Sequence, residues 1–197
     1  MKFPRSTYLV CCFQFKEEAE RFYAELKGRL AKFQLGIAEN KSKIIEFGRF
    51  AARDRKTKGL GKPETFDFLG FTHYCSLSRS RKFIVKLKTS KKKFKAKVKM
   101  FATWLKRTKD KENIHQIFKT TRAKLYGHYN YYGITNNYRM IEEYYTMVTK
   151  LLYKWLNRRS QRTSFTWDKF NMYLNRNPLP KPKITHRFAA GQIISVR

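Results

Sequence analysis

Apolar residues are spaced in two different ways along the chain, and the change falls near residue 88. Residues 8–13 are continuously apolar, with aromatic and β-branched content, and predict a buried strand. Over 16–35, Ala19, Phe22, Tyr23, Leu26, Leu30 and Phe33 recur three or four apart, the spacing of an amphipathic helix. Its acids (Glu17, Glu18, Glu20) come early and its basic residues late, as the helix dipole favours. Gly36 is placed as its C-cap. A second strand is predicted at 43–47, ended by Gly48, followed by a basic, glycine-containing connector at 49–63. Residues 66–71 read as a tight aromatic turn. Strands at 72–77 and 82–88 follow, joined by the polar turn 78–81.

After residue 88 the period becomes helical. Ser90 is a plausible N-cap for a helix to about residue 107, with Phe94, Val98, Phe101 and Leu105 on its apolar stripe. Further helices are predicted at 113–132 and 137–159, the latter with a stripe of Tyr138, Ile141, Tyr145, Val148, Leu152 and Trp155. A short helix fits 166–175. Three prolines within five residues make the tail from Pro178 extended. The pattern therefore predicts an α+β protein: strands with one helix in 1–88, a helical bundle in 89–163, and a short helix with an extended basic tail in 164–197.

Charge changes this picture from a fold to a function. Lys and Arg total 45 against 14 acids, a net charge of +31. Small domains ordinarily carry a magnitude of about 2–8. Self-repulsion on this scale opposes compaction and points to a polyanionic partner. With 42% hydrophobic and 16% aromatic residues, the chain is not a disordered basic tail. Between residues 68 and 109 there are 14 Lys and Arg and no acid; from 144 onward Asp168 is the single acid against 11. The helix at 90–107 thus forgoes the opposite-charge i,i+4 pairs that usually support a helix. A phosphate backbone along its basic face accounts for that better than solvation does.

The candidate RNA contacts follow from this distribution. Arg79, Arg81 and Lys82 lie in the predicted hairpin turn, and Lys91, Lys92, Lys93, Lys95, Lys97 and Lys99 lie on the basic helix. In the aromatic run 126–133, Tyr126, His128, Tyr129 and Tyr131 are candidates to stack on unpaired bases. Helical spacing requires about half of those rings to face inward instead. Lys154, Arg158, Arg159 and Arg162 close the set; for Arg158 and Arg159, phosphate contact and compensation of the helix dipole are equally good readings.

Other chemistry is not signalled. Walker A, HExxH and GxSxG patterns are absent, and no two acids pair for two-metal catalysis. Cys11, Cys12 and Cys75 have no CxxC spacing, and His73, His115, His128 and His186 are scattered, so neither a disulfide framework nor a metal or other cofactor is expected. A reducing, cytoplasmic setting fits. No apolar run reaches the roughly 18 residues of a membrane span, and the run at 8–13 lacks the length and cleavage site of a signal sequence.

Several longer segments carry a family resemblance. They are the stretch from Tyr8-Leu9-Val10-Cys11-Cys12-Phe13 through Phe22-Tyr23, then Asn40-Lys41-Ser42-Lys43-Ile44-Ile45-Glu46-Phe47-Gly48-Arg49-Phe50-Ala51, and Thr65-Phe66-Asp67-Phe68-Leu69-Gly70-Phe71-Thr72. Gly127-His128-Tyr129-Asn130-Tyr131-Tyr132-Gly133, Lys154-Trp155-Leu156-Asn157-Arg158-Arg159-Ser160-Gln161, Ser164-Phe165-Thr166-Trp167 and Pro178-Leu179-Pro180 continue the series. In this order, over about 8–188, they resemble the C-terminal part of group II intron-encoded reverse transcriptases, also called maturases. The resemblance implies that 1–88 is the back of a polymerase palm and 89–163 a thumb, or domain X, a three-helix bundle that grips intron RNA. Such proteins assist intron splicing and copy the intron into DNA, as ribonucleoproteins of mobile elements. In the family's register Ser6 and Thr7 stand where paired catalytic aspartates belong, and Pro4 and Arg5 replace the preceding Tyr and Ala. RNA-directed DNA polymerase activity is therefore not expected of this chain alone.

Two functions are thus in view. One is a non-enzymatic protein that binds structured, intron-like RNA and assists splicing. The other is one piece of a split polymerase, completed by a separate fingers-palm chain. Mg2+ is expected only with the bound RNA or that second chain. A remnant without activity is the third possibility.

Overall fold

Where a helical period is preceded by a side chain able to cap it, a helix forms; where a predicted strand lacks a neighbour, it does not. The computed structural model describes residues 8–159 and 166–187. It divides after Glu64 into two units. The described residues form six α-helices and one three-stranded antiparallel sheet, an α+β architecture.

The first unit contains α1 (Lys16–Lys32), a short 3-10 turn (Glu39–Lys41) and α2 (Ala51–Thr57). The strands expected at 8–13 and 43–47 are absent, and α2 occupies what read as connector. A strand is stable only with a hydrogen-bonded neighbour, and no strand is found among the described residues of this unit to supply one. α1 ends one turn early: Phe33 is the cap and Gln34, not Gly36, takes the left-handed conformation, at φ 57°. Among the described residues of this unit Ala51, in α2, is the one that is buried, and Leu9, Phe15, Phe33, Leu35 and Phe50 are all exposed.

The second unit begins with the sheet: β1 (Phe66–Phe68), β2 (Phe71–Leu77) and β3 (Phe83–Thr89), in the order β1-β2-β3. The expected aromatic turn at 66–71 is a strand, a two-residue turn and the start of β2. Phe68 pairs with Phe71, and Leu69 and Gly70 both have positive φ (48° and 85°). That is the type I′ geometry whose twist matches a hairpin. Four helices follow: α3 (Lys91–Thr108), α4 (Ile114–Tyr132), α5 (Tyr138–Leu156) and α6 (Trp167–Arg176). Ser90, Asn113 and Thr166 each accept a backbone N–H of the first turn, capping α3, α4 and α6.

One core joins these elements. Phe101 and Leu105 of α3, Ile117, Phe118, Leu125 and Tyr129 of α4, Ile141, Val148, Leu152 and Leu156 of α5, and Phe170 of α6 are buried together, with Phe71 of the sheet. On α5, Tyr144 is buried and Tyr138 exposed, the reverse of the expected stripe at those two positions. The sheet is tied to the bundle by Asn137, which is fully buried. Its Oδ1 accepts from Thr89 N at 2.8 Å, while its Nδ2 donates to Thr89 Oγ1 at 2.9 Å and to Tyr132 O at 2.8 Å. The division therefore falls after residue 64 rather than at the change of period near 88, because β3 runs straight into the capped start of α3.

Candidate nucleic-acid interface

α3 owes its charge distribution to one constraint: its apolar side must meet the core. Phe94, Val98, Phe101 and Leu105 supply that side, and Phe94 meets Tyr144 of α5 edge-on. Every other turn is open to lysine. Lys91, Lys92, Lys93, Lys95, Lys97 and Lys99 are all exposed, and none forms an ion pair with a described residue. Lys92, Lys95, Lys99 and Lys106 recur at three-, four- and seven-residue intervals and share one stripe about 21 Å long. Lys97 lies on the opposite edge of the core side, close enough to His128 of α4 to oppose its protonation. Among the described residues of this unit, Lys109 and Asp110 form the one ion pair.

The hairpin adds a second basic element. Arg79, Arg81 and Lys82 are exposed around the β2–β3 turn, where Arg81 has φ 56° and Ser78 Oγ accepts from Lys82 N. Lys86 and Lys88, outside the set of contacts expected from sequence, pair across the ladder with Tyr74 and Thr72. These four side chains share one sheet face, and Lys88 Nζ sits 5.2 Å from the centre of the Tyr74 ring. Strict alternation in Lys86-Leu87-Lys88 was the signal for this basic face.

The aromatic candidates separate. Tyr126 is exposed on α4. Tyr131 is exposed too, but its ring stacks on Phe71 and its hydroxyl donates to Leu69 O at 2.8 Å, so it is held in place. Tyr129 is fully buried and donates to Pro180 O at 3.0 Å; burial raises its pKa. His128 is buried against Tyr144, with ring centres 3.8 Å apart. Desolvation, reinforced by Lys97, lowers its pKa to about 4. These two belong to the core rather than to a base-stacking surface. Leu125, His128, Tyr129 and Tyr132 fall at i, i+3, i+4 and i+7, the periodicity that could have assigned them inward.

At the end of α5, Lys154 and Arg158 are exposed and both reach over the Trp155 ring, at 5.9 and 5.5 Å. Arg159 is half-buried and donates to Glu112 O at 2.9 Å, which gives it an internal partner. Arg162 lies outside the described residues, as do Ser6 and Thr7.

Asp67 accepts from Thr72 Oγ1, and Asp110 pairs with Lys109. Among the described residues no three His, Cys, Asp or Glu side chains are grouped to hold a metal ion. No helix among them is long and apolar enough to cross a membrane. Compared with protein-family models, curated proteins and solved structures, the chain matches none.

Proposed function

We propose that this protein binds structured RNA, as a relative of the group II intron maturases whose motifs it resembles, and holds intron-like RNA so as to assist its splicing. The observation that carries this reading is the set of six exposed lysines at 91–99, none in an ion pair with a described residue, on a helix whose apolar side packs against the core. Unpaired cations held on a rigid element are suited to a phosphate backbone, whose binding releases counterions. The hairpin cations Arg79, Arg81, Lys82, Lys86 and Lys88 extend the basic surface on the preceding element. In this reading β1–β3 correspond to part of a palm, α3–α5 act as the thumb, and Mg2+ enters with the RNA.

The test is a combined Lys92→Glu, Lys95→Glu, Lys99→Glu variant in a gel-shift series over salt. Wild-type affinity should fall steeply as salt rises, and loss of three phosphate contacts, with their charge reversed, should flatten the logarithmic slope by at least about 2.7 for a duplex. Unchanged affinity and slope would remove α3 from the interface.

A second reading is favoured by a different observation. The 8–64 unit buries Ala51 alone while exposing Leu9, Phe15, Phe33, Leu35 and Phe50. Apolar surface on that scale suits a polypeptide partner. A separate fingers-palm chain would make the pair an RNA-directed DNA polymerase. Copurification of a second polypeptide, and primer extension by the complex, test this; the absence of both refutes it.

A further inference from the structure

The segment after α6 runs as an extended strap along α4, held through its backbone and through Thr185. Arg122 Nε donates to Pro178 O at 3.0 Å and Tyr129 OH to Pro180 O at 3.0 Å. Thr185 N and His186 N both donate to Gly133 O, at 2.7 and 3.0 Å. Leu179 is buried, and Pro180, Pro182 and Ile184 are half-buried beneath the strap. Lys181 and Lys183 alternate with them and are exposed. Residues two apart in extended chain are separated by about 6.6 Å. The prolines at 178, 180 and 182 restrict φ, so this spacing is set before any ligand arrives. The exposed face of α6 adds Lys169 and Arg176, which share a shallow groove with Met172 and Tyr173. None of these four cations forms an ion pair with a described residue, and Asp168 is the one acid in the sequence from 144 onward.

α6, which carries Lys169 and Arg176, lies on the other side of α5 from α3. α5 meets α3 through Tyr144 against Phe94. It meets α6 through Tyr153, whose ring stacks on Trp167 at 4.0 Å. Tyr144 and Tyr153 are nine residues apart, which at 3.6 residues per turn puts them about 180° apart around the helix. The cations of α3 and those of α6 therefore lie on opposite sides of α5, and the strap lysines form a further exposed group along α4.

We infer that Lys169, Arg176, Lys181 and Lys183 form a second phosphate-binding surface, so that one copy of the protein bridges two segments of RNA. The inference rests on the reading of α3 as an RNA contact and extends it to a second strand or helix.

The experiment uses the full chain and two short RNA duplexes, one biotinylated and one fluorescent, with capture of fluorescence on streptavidin beads. Wild-type protein should capture the fluorescent duplex. A variant with Arg176→Glu, Lys181→Glu and Lys183→Glu should lose capture while still binding a single duplex through α3. A neutral Lys181→Gln, Lys183→Gln variant should weaken capture in the same direction, and circular dichroism should report unchanged helicity in both. If wild-type protein binds a duplex but captures no second one, or if the triple variant captures as well as wild type, the inference is overturned and the α3 reading stands. If wild-type protein binds no duplex at all, both fall together.

Discussion

Replacing Asn137 by alanine removes three hydrogen bonds from a site that water does not reach. Asn137 is fully buried and Thr89 is 1% exposed, so nothing replaces the lost partners. Thr89 N–H loses its acceptor and is left unsatisfied, at a cost of about 1–3 kcal/mol. The Thr89 hydroxyl and Tyr132 carbonyl each lose a donor, worth about 1 kcal/mol apiece; Tyr132 O keeps its bond from Ile134 N. The sum is about 3–5 kcal/mol, a large part of a typical stability of about 5–15 kcal/mol. Urea denaturation followed by circular dichroism and tryptophan fluorescence measures it. Asn137→Asp is an informative companion: it keeps an acceptor for Thr89 N but brings a buried carboxylate close to Tyr132 O. Such a carboxylate has a raised pKa, so the variant should be weakest at neutral pH and recover partly as the pH falls toward 5. A loss below about 1 kcal/mol for the alanine variant would refute the argument, because it would mean that neither the hydrogen bonds nor the burial at this joint are as described.

Gly133→Ala should destabilise the bundle and release the strap. An added Cβ would lie 2.7 Å from Lys183 O and 2.9 Å from Thr185 Oγ1. Overpacking of this kind costs about 1–3 kcal/mol, and limited proteolysis should cut within 178–187 before wild type is cut. His128 predicts an acid-sensitive core. Its folded pKa lies below the ordinary value of 6.5, at about 4, so the unfolded chain takes up the proton first. Its stabilising contribution is complete above pH 6.5 and is lost as the pH falls toward 4, by about 3 kcal/mol. His128→Phe should show a flatter stability profile over that window; an identical profile would exclude His128 as a source of acid sensitivity.

The helices from residue 90 onward were legible because helical signals are local. Phe94, Val98, Phe101 and Leu105 show their period within one segment, and Ser90, Asn113 and Thr166 act on N–H groups three residues away. The exposure of the lysines at 91–99 was equally readable, since a helix with one apolar side leaves only solvent for the rest. Strands behaved differently. β2 and β3 formed because a short turn brings them together, whereas 8–13 and 43–47 have comparable apolar content and remain irregular. Their pairing depends on a neighbour that no local pattern specifies.

Side-chain fate within the aromatic run was also decided by tertiary contacts. His128 and Tyr129 are core residues because Tyr144, Lys97 and the strap at Pro180 close over them, while Tyr126, three residues before Tyr129, stays in water. Asn137 read as an ordinary helix start; only the arrival of Thr89 from a strand 48 residues earlier makes it the joint between sheet and bundle. Charge, period and caps were thus determined by sequence alone, because they act over a turn of helix. Strand pairing, the inward rings and the strap were decided by the fold, because each depends on a partner distant in the chain.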